Sequence, residues 1–349
     1  MSKRRDNLLL LGAPSLLVLA WLGPALLTGC ANVAEPVEQP GWARTLMDDP
    51  PEFDLSERSP KSRALEEYRE YYGLRDPVEH HYGVFESDGY TVACQALVPE
   101  SPRGTVLFMH GFMDHFGLAA DFVNHCLAAG FAVAGPDLPG HGLSSGARGD
   151  IDDFTRYTAV LDEVLSRAEG RLPKPWHAAG HSMGGAVLTT HLLRRKNTPL
   201  DRVVLFAPLV RFPHWRLTRL GYPVAKLVTE RFRRRFQPRS GDERFIQFQE
   251  RDPLAGRWLA LRWVDSVYDW ERRISSLEPE KREILVIQGM DDDVVDWRHN
   301  VKFLREKFDR ARVVTVPDAR HQIINEIPEI RERVFAEALE YLSEGGGTS

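Results

Sequence analysis

The sequence predicts an α/β protein built on a mostly parallel sheet, and three observations lead to this class. Short apolar runs alternate with helical patterns from residue 78 to residue 343, as in sheets that carry helices on both faces. The central run Val106-Leu107-Phe108-Met109 is continuously apolar, which is typical of a strand buried on both sides. A glycine-flanked turn at residues 180–184 then joins one of these runs to a helical pattern.

The eight predicted strands share an apolar centre and turn signals at their ends. They cover residues 80–87, 91–99, 104–110, 131–137, 176–181, 202–207, 283–288 and 312–316. Asp88-Gly89 between the first two predicts a tight hairpin, so the sheet should begin with an antiparallel pair. The predicted helices cover residues 116–129, 153–168, 183–195, 297–308 and 328–342. We expect one domain over residues 78–343, followed by a disordered tail at residues 344–349.

The turn at residues 180–184 reads Gly-His-Ser-Met-Gly, which is the pattern of a nucleophile elbow between a strand and a helix. A serine hydroxyl needs a base, and the base needs an acidic partner that orients it. In this architecture the acid follows the serine along the chain and the histidine comes last. Residues 291–293 are three aspartates just past one predicted strand, and His321 follows another. Because parallel strands end at a common edge, Ser182, one aspartate and His321 are expected to meet there.

Four segments resemble the α/β-hydrolase superfamily, and in particular its branch of monoacylglycerol lipases, bacterial lysophospholipases and serine aminopeptidases of the S33 type. His-Gly-Phe-Met-Asp-His at 110–115 resembles the loop after the third strand of that family. Pro-Asp-Leu-Pro-Gly-His-Gly-Leu-Ser at 136–144 resembles the loop after the fourth. The elbow and the Gly-x-x-Asp segment at 289–292, with its distant histidine, complete the set. These motifs are specific for the fold and the triad, and much less specific for the substrate.

The resemblance implies a serine ester hydrolase that uses no metal and no organic cofactor. It selects Asp292 as the acid that acts with Ser182 and His321. The N–H of Met183, next to the nucleophile, and the N–H of Phe112 are expected to form the oxyanion hole. The expected substrates are carboxylic esters of single-chain lipids, either lysophospholipids or monoacylglycerols, cleaved through an acyl-enzyme. The alternatives are a short-chain carboxylesterase and a non-catalytic lipoprotein that binds lipid in its pocket.

Two polar residues beside the predicted oxyanion loop have two roles open to them. Asp114 and His115 could contact the polar headgroup of a substrate at the mouth of the pocket. They could equally cap the helix that follows, because their side chains can accept hydrogen bonds from its first N–H groups. The sequence does not decide between these roles.

The interval between the sixth and seventh strands, residues 209–275, is far longer than a crossover needs. The resemblance makes it a helical cap over the site. Its first part is basic and contains one acidic residue, Glu230, among Arg211, Arg216, Arg219, Lys226, Arg231, Arg233, Arg234, Arg235 and Arg239. The interleaved apolar residues recur at helical spacing and are Val224, Leu227, Val228, Phe232 and Phe236. This pattern predicts either an amphipathic helix that binds a membrane surface, or a cap helix whose apolar face packs on the domain.

The N-terminus predicts export and lipid attachment. A short basic segment precedes an apolar stretch at residues 8–27, which closes with Leu-Thr-Gly in front of Cys30. This ending resembles a bacterial lipobox, in which the cysteine is lipidated and becomes the first residue of the mature chain. Residues 1–29 are then a signal peptide. A retained transmembrane anchor is the alternative, since the apolar stretch is nearly long enough to span a bilayer.

Residues 30–77 are polar and rich in proline, and we expect a tether with one helix at residues 63–72. The mature protein should therefore be an exported lipoprotein held to a membrane by Cys30, with the basic cap as a second candidate contact. Inner-membrane lipoproteins often carry an aspartate after the lipidated cysteine, whereas this sequence has Ala31. The absence of the aspartate favours the outer membrane.

The composition limits the partners further. The formal net charge of −5 gives no reason to expect a nucleic-acid partner. The sequence has no glycine-rich phosphate loop and no cluster of metal-binding cysteines and histidines. Beyond Cys30 only Cys94 and Cys126 remain, and export would permit a disulfide between them. Because one falls in a predicted strand and the other in a predicted helix, we expect two free, buried thiols. The sequence leaves the oligomeric state open.

Overall fold

The structure, a computed structural model, describes residues 37–56, 62–75, 79–234 and 236–344. These residues form ten strands: β1 Glu79–Ser87, β2 Tyr90–Val98, β3 Thr105–Met109, β4 Ala132–Pro136, β5 Trp176–His181, β6 Leu200–Phe206, β7 Arg231–Arg233, β8 Trp258–Ala260, β9 Glu280–Gly289 and β10 Phe308–Val316. Eight of them form one sheet in the order β1-β2-β4-β3-β5-β6-β9-β10. The strand β2 is antiparallel to both β1 and β4, and the remaining pairs of this sheet are parallel. The mostly parallel, eight-stranded sheet is confirmed.

The two strands that carry the acid and the histidine are longer than the sequence predicts. The strand β9 begins three residues earlier than expected and β10 four residues earlier. The first residues of β9 are polar or only partly buried, and its later part is continuously buried. In β10 the buried Phe308 is followed by the exposed polar residues Asp309 and Arg310. An apolar pattern therefore finds the continuously apolar part of a strand and misses the part in which polar residues interrupt it.

Helices cover both faces of the sheet. They are α1 Gly41–Asp48, α2 Arg63–Tyr72, α3 Ala120–Ala128, α4 Thr155–Ala168, α5 Met183–Arg194, α6 Trp215–Val228, α7 Glu243–Arg251, α8 Leu261–Ser275, α9 Trp297–Lys307 and α10 Pro328–Ser343. Side chains of β3 alternate between two apolar cores: Leu107 and Met109 join the core under α4 and α5, while Val106 and Phe108 join the core under α3 and α10. This alternation explains why the strand has no polar side.

The described part of the N-terminal segment packs on the domain, which corrects the expectation of a tether for residues 37–56 and 62–75. The helix predicted at residues 63–72 is present as α2, but α1 was not predicted. Trp42 and Tyr68 are buried in the core under α3, and their rings meet edge to face with centroids 5.5 Å apart. The hydroxyl of Tyr82 in β1 donates a hydrogen bond of 2.6 Å to the carbonyl of Leu46. Aromatic residues at helical spacing therefore attach this segment to the domain.

The cap lies where the long interval was expected, but its first helix is shorter than the sequence predicts. The helix α6 ends at Val228, and Phe232 lies in the short strand β7, paired with Leu259 of β8. The helical spacing of Phe232 and Phe236 with the residues before them was therefore misleading. The β-branched pair Val228-Thr229 and the pairing with β8 favour an extended backbone here, and Thr229 is already extended.

Cys94 and Cys126 are free and buried, as expected from their strand and helix positions. In the part of the chain that the structure describes, no helix is long and apolar enough to cross a membrane. The predicted signal peptide, Cys30, the rest of residues 1–36 and the tail from residue 345 lie outside the described residues.

Candidate active site

Ser182 stands on a strained turn between β5 and α5. Its φ of 51° and ψ of −109° fall outside the conformations that side-chain-bearing residues prefer. A Cβ on Gly184 would lie 1.9 Å from the carbonyl oxygen of Met109, and a Cβ on Gly180 would lie 2.7 Å from the backbone of Gly184. A side chain at either position would collide with backbone atoms, so both positions of the Gly-x-Ser-x-Gly pattern require glycine.

Three side chains that are far apart in the sequence meet at the edge of the sheet. The Ser182 hydroxyl lies 2.9 Å from Nε2 of His321, and Nδ1 of His321 lies 2.8 Å from Oδ2 of Asp292. All three residues are buried. An ionised carboxylate can only accept hydrogen bonds, so Nδ1 carries the proton and Nε2 is left to accept one from the serine. This is the arrangement in which a histidine can act as a base.

Asp292 is held in place from several sides. Its Oδ1 accepts hydrogen bonds from the N–H groups of Val294 at 2.9 Å and Val295 at 3.1 Å, and Gln288 donates to Oδ2 at 3.1 Å. Burial acts to raise the pKa of Asp292, but the charge and hydrogen bond of His321 and the two backbone donors outweigh it and lower the pKa below its usual value. Its neighbours Asp291 and Asp293 are exposed.

The two expected oxyanion donors are the residue after the serine and a residue in the loop after β3. Met183 is the first residue of α5, so its N–H has no acceptor within the helix. Phe112 lies in the turn after β3, and within the described residues its N–H donates no backbone hydrogen bond. The Phe112 ring stacks on Trp263 of α8, with centroids 3.7 Å apart. The cap therefore packs against the loop that carries the second expected donor.

His115 has the capping role that the sequence left open. Its Nδ1 accepts a hydrogen bond of 3.2 Å from the N–H of Gly117, in the 3₁₀ turn Phe116–Ala119. Its Nε2 lies 2.7 Å from Oδ2 of Asp252, and neither side chain is exposed. Burial acts to lower the pKa of His115, but the carboxylate of Asp252 outweighs it and raises the pKa. A substrate headgroup does not have access to this side chain.

Asp114 is also buried and connects three segments of the chain. Its carboxylate accepts hydrogen bonds of 2.9 Å from Gln249 in the cap and from Gln322 next to the triad histidine. His181 in the elbow lies 3.5 Å from the same carboxylate. Burial acts to raise the pKa of Asp114, but His181, Gln322 and the nearby Arg234 lower it. Asp114 supports the site rather than facing its mouth.

The sequence reasoning missed the polar residues of the cap that hold this network together. Asp252 pairs with His115 and also accepts a hydrogen bond of 2.8 Å from the Tyr72 hydroxyl, while Gln249 binds Asp114. Neither position belongs to a recognisable motif. A buried aspartate at the end of a polar helix gives no local signal, because its partner lies more than a hundred residues away in the chain.

The strand order, the elbow and the Ser–His–Asp geometry define an α/β-hydrolase with the side-chain arrangement of a serine hydrolase. A family model described as serine aminopeptidase, S33, matches residues 100–328, and the chain belongs to this family. Phospholipase YtpA of Bacillus subtilis is 24% identical over 250 residues, which cover 68% of this chain and 95% of that protein. The monoglyceride lipase of Saccharomyces cerevisiae is 21% identical over 272 residues, which cover 69% of this chain and 84% of that protein.

Solved structures agree on the fold. A soluble variant of the Saccharomyces cerevisiae monoglyceride lipase, bound to a substrate analogue, matches with a TM-score of 0.67 and 19% identity over 79% of this chain and 98% of that one. The monoacylglycerol lipase of Paleococcus ferrophilus matches with a TM-score of 0.63 and 22% identity over 73% of this chain and 99% of that one. At these identities the likeness establishes the α/β-hydrolase fold.

Proposed function

We propose that this protein is a serine hydrolase that cleaves carboxylic esters of single-chain lipids. The unbroken hydrogen-bonded chain from Ser182 through His321 to Asp292 carries the proposal. Relatives that are named as a phospholipase and a monoglyceride lipase support lipid esters as the substrates.

In the proposed reaction, Oγ of Ser182 attacks the ester carbonyl while Nε2 of His321 takes the hydroxyl proton. Asp292 holds the proton on Nδ1 and stabilises the imidazolium that forms. The imidazolium then gives its proton to the leaving alcohol as the C–O bond breaks, which leaves the acyl group on Ser182. A water molecule, deprotonated by His321, attacks the acyl-enzyme and releases the fatty acid.

The negative oxygen of the tetrahedral intermediate would bind the N–H groups of Met183 and Phe112. Loss of one such donor typically costs about 10²–10³ in rate. The second donor depends on the position of the loop after β3, and the stacking of Phe112 on Trp263 makes that position depend on the cap. An ordered cap is therefore part of the catalytic site.

The charge around the site argues against an aminopeptidase activity, although the family description names one. An enzyme of that kind needs a carboxylate near the pocket to hold the ammonium group of its substrate. The cap segment next to the site carries Arg234 and Arg239, whose positive charges repel an ammonium group. Asp114 and Asp252 are already bound to protein groups.

The activity is tested with a fluorophosphonate probe and three substrates compared side by side: lysophosphatidylethanolamine, monoolein and a short p-nitrophenyl ester. We expect Ser182 to be labelled, labelling to disappear in Ser182→Ala, and the lipids to be preferred. A preference for the short ester would establish the carboxylesterase alternative instead. A folded protein that never labels would leave only the lipid-binding alternative.

The same proposal includes attachment to a membrane. Leu220, Leu227 and Val228 of α6 are 78%, 88% and 72% exposed, and the exposed Arg216 and Arg219 lie on the same helix. Apolar side chains that insert into lipid, with cations beside them, suit an anionic membrane surface. The lipobox-like ending before Cys30 supports a lipid anchor and export.

Two variants test the attachment. Leu227→Asp should weaken sedimentation with phosphatidylglycerol vesicles and leave hydrolysis of a soluble ester unchanged, while Ser276→Asp, which adds the same charge at another exposed position, should bind as the wild type does. Equal binding by both variants would exclude the helix as a docking surface. Cys30→Ser should give an uncleaved or soluble product, and unchanged attachment and mass would refute lipidation.

A further inference from the structure

An arginine of the cap, Arg239, lies beside the loop that carries the triad histidine. Its backbone carbonyl accepts a hydrogen bond of 2.9 Å from the N–H of Gln322. The side chain is half-buried, and Asp293, Asp292 and Asp114 are the acidic residues whose charges act on it. Within the described residues its guanidinium group donates no hydrogen bond and has no carboxylate at ion-pair distance. The group is therefore near the catalytic site and available to a ligand.

A second arginine adds positive charge next to it. Nη1 of Arg234 donates a hydrogen bond of 3.2 Å to the carbonyl of Met113, in the oxyanion loop. The guanidinium groups of Arg234 and Arg257 both lie over the ring of Phe236, with their carbons 4.4 Å and 5.0 Å from its centroid. Burial lowers the pKa of Arg234 to about 10, with Asp114 opposing the change and the two other arginines adding to it. Asp114 and Asp252 act on Arg234 from a distance, but within the described residues none of these three arginines has a carboxylate at ion-pair distance.

The reaction itself decides which part of a substrate lies near Arg239. His321 must give its proton to the leaving alcohol, so that alcohol lies next to Nε2 of His321 when the ester bond breaks. Arg239 is bound through its backbone to the residue that follows His321, so it lies beside the loop whose histidine faces the leaving group. In a monoacylglycerol the leaving group is uncharged glycerol. In a lysophospholipid it carries a phosphate a few bonds from the ester oxygen.

We propose that the guanidinium of Arg239, assisted by Arg234, binds the phosphate of a lysophospholipid headgroup. A planar guanidinium offers two parallel N–H donors to a phosphate, and a partly dehydrated guanidinium without a protein partner gains most from such a contact. The enzyme should therefore prefer phosphate-bearing single-chain lipids to neutral ones. This inference rests on the proposed ester hydrolase function and specifies its substrate.

The test compares hexanoyl lysophosphatidylglycerol with 1-hexanoylglycerol, both as dissolved monomers, so that binding to a lipid surface plays no part. We expect Arg239→Gln to lower kcat/KM for the phospholipid by about tenfold through KM, because a charged hydrogen bond is lost. Hydrolysis of hexanoylglycerol should not change, and Arg239→Lys should keep part of the preference. Arg305→Gln, which removes a charge from an exposed position on α9, should behave as the wild type does.

Two outcomes would overturn the inference. If Arg239→Gln weakens hydrolysis of both substrates equally, Arg239 only supports the histidine loop. The second outcome is that Arg239→Gln has the same ratio of kcat/KM for the two substrates as the wild type. If inorganic phosphate then inhibits hexanoylglycerol hydrolysis by the wild type and not by the variant, the arginine binds free phosphate and no headgroup. Failure of the proposed function would look different, since the wild type would then hydrolyse neither lipid.

Discussion

Replacing Asp292 by asparagine tests the triad directly, because the structure determines how the new amide must lie. Oδ1 of Asp292 accepts two backbone hydrogen bonds, from Val294 and Val295, so the amide oxygen of the variant has to stay at that position. The amide nitrogen then takes the place of Oδ2, 2.8 Å from Nδ1 of His321 and 3.1 Å from the donating nitrogen of Gln288. A donor replaces an acceptor at the point where the histidine needs an acceptor.

The consequence for His321 is a change of tautomer. Nδ1 can only accept a hydrogen bond from the new amide, so the ring proton moves to Nε2, which lies 2.9 Å from the Ser182 hydroxyl. A protonated Nε2 cannot take the serine proton. We expect kcat to fall by about 10⁴, as such a change does in other serine triads. That loss corresponds to a rise in the activation free energy of about 5.5 kcal/mol.

The assay is steady-state hydrolysis of p-nitrophenyl butyrate, with Asp291→Asn and Asp293→Asn as matched controls. Both control residues are exposed, and they differ from Asp292 in having no contact with the histidine. They should keep the wild-type rate. A loss of less than about tenfold in Asp292→Asn, or an equal loss in Asp293→Asn, would show that the acid is assigned to the wrong residue.

Three further substitutions test other parts of the structure. Gly184→Ala should give protein without a probe-reactive serine, because the new Cβ would lie 1.9 Å from the Met109 carbonyl oxygen; normal labelling would contradict the elbow geometry. Trp42→Ala should lower the free energy of unfolding in urea by about 3 kcal/mol, whereas a segment that is only a tether would leave it unchanged. Asp252→Asn should lower it by about 2 kcal/mol. Oδ1 of Asp252 accepts hydrogen bonds from the Tyr72 hydroxyl and the N–H of Leu254, so the new amide nitrogen would face the donating Nε2–H of the buried His115. Unchanged stability would show that His115 makes no hydrogen bond to this residue.

The sheet and the elbow were predictable because their signals are local. A strand buried on both faces must be apolar throughout, and the elbow at Ser182 needs glycines where backbones touch. The selection of Asp292 from three neighbouring aspartates came from the resemblance alone. The structure places Asp292 inside, against His321, and leaves Asp291 and Asp293 in solvent.

The cap and the N-terminal segment were harder to predict because tertiary contacts decide them. Phe232 fits a helical pattern, yet pairing with Leu259 places it in a strand. In α1, Trp42 has a face to pack on only once Tyr68 and Tyr72 of α2 are in place. Secondary-structure propensity and hydrophobic periodicity depend on residues that are close in sequence. They therefore carry no information about contacts with a distant segment of the chain.

The polar contacts around the oxyanion loop follow from what that loop has to do. An apolar core stabilises the fold but tolerates small displacements, whereas an N–H that binds the oxyanion, as we propose for Phe112, must stay in one position relative to Ser182. Asp114 binds both the cap and the histidine loop, and His115 binds the cap through Asp252. Burying polar groups costs free energy, and removing one partner of a buried pair costs free energy again. Such pairs therefore fix the positions of the segments they join more than they add to the stability of the fold. We therefore infer that the cap positions the oxyanion loop. A substitution at one of these pairs should lower kcat even where the protein still folds.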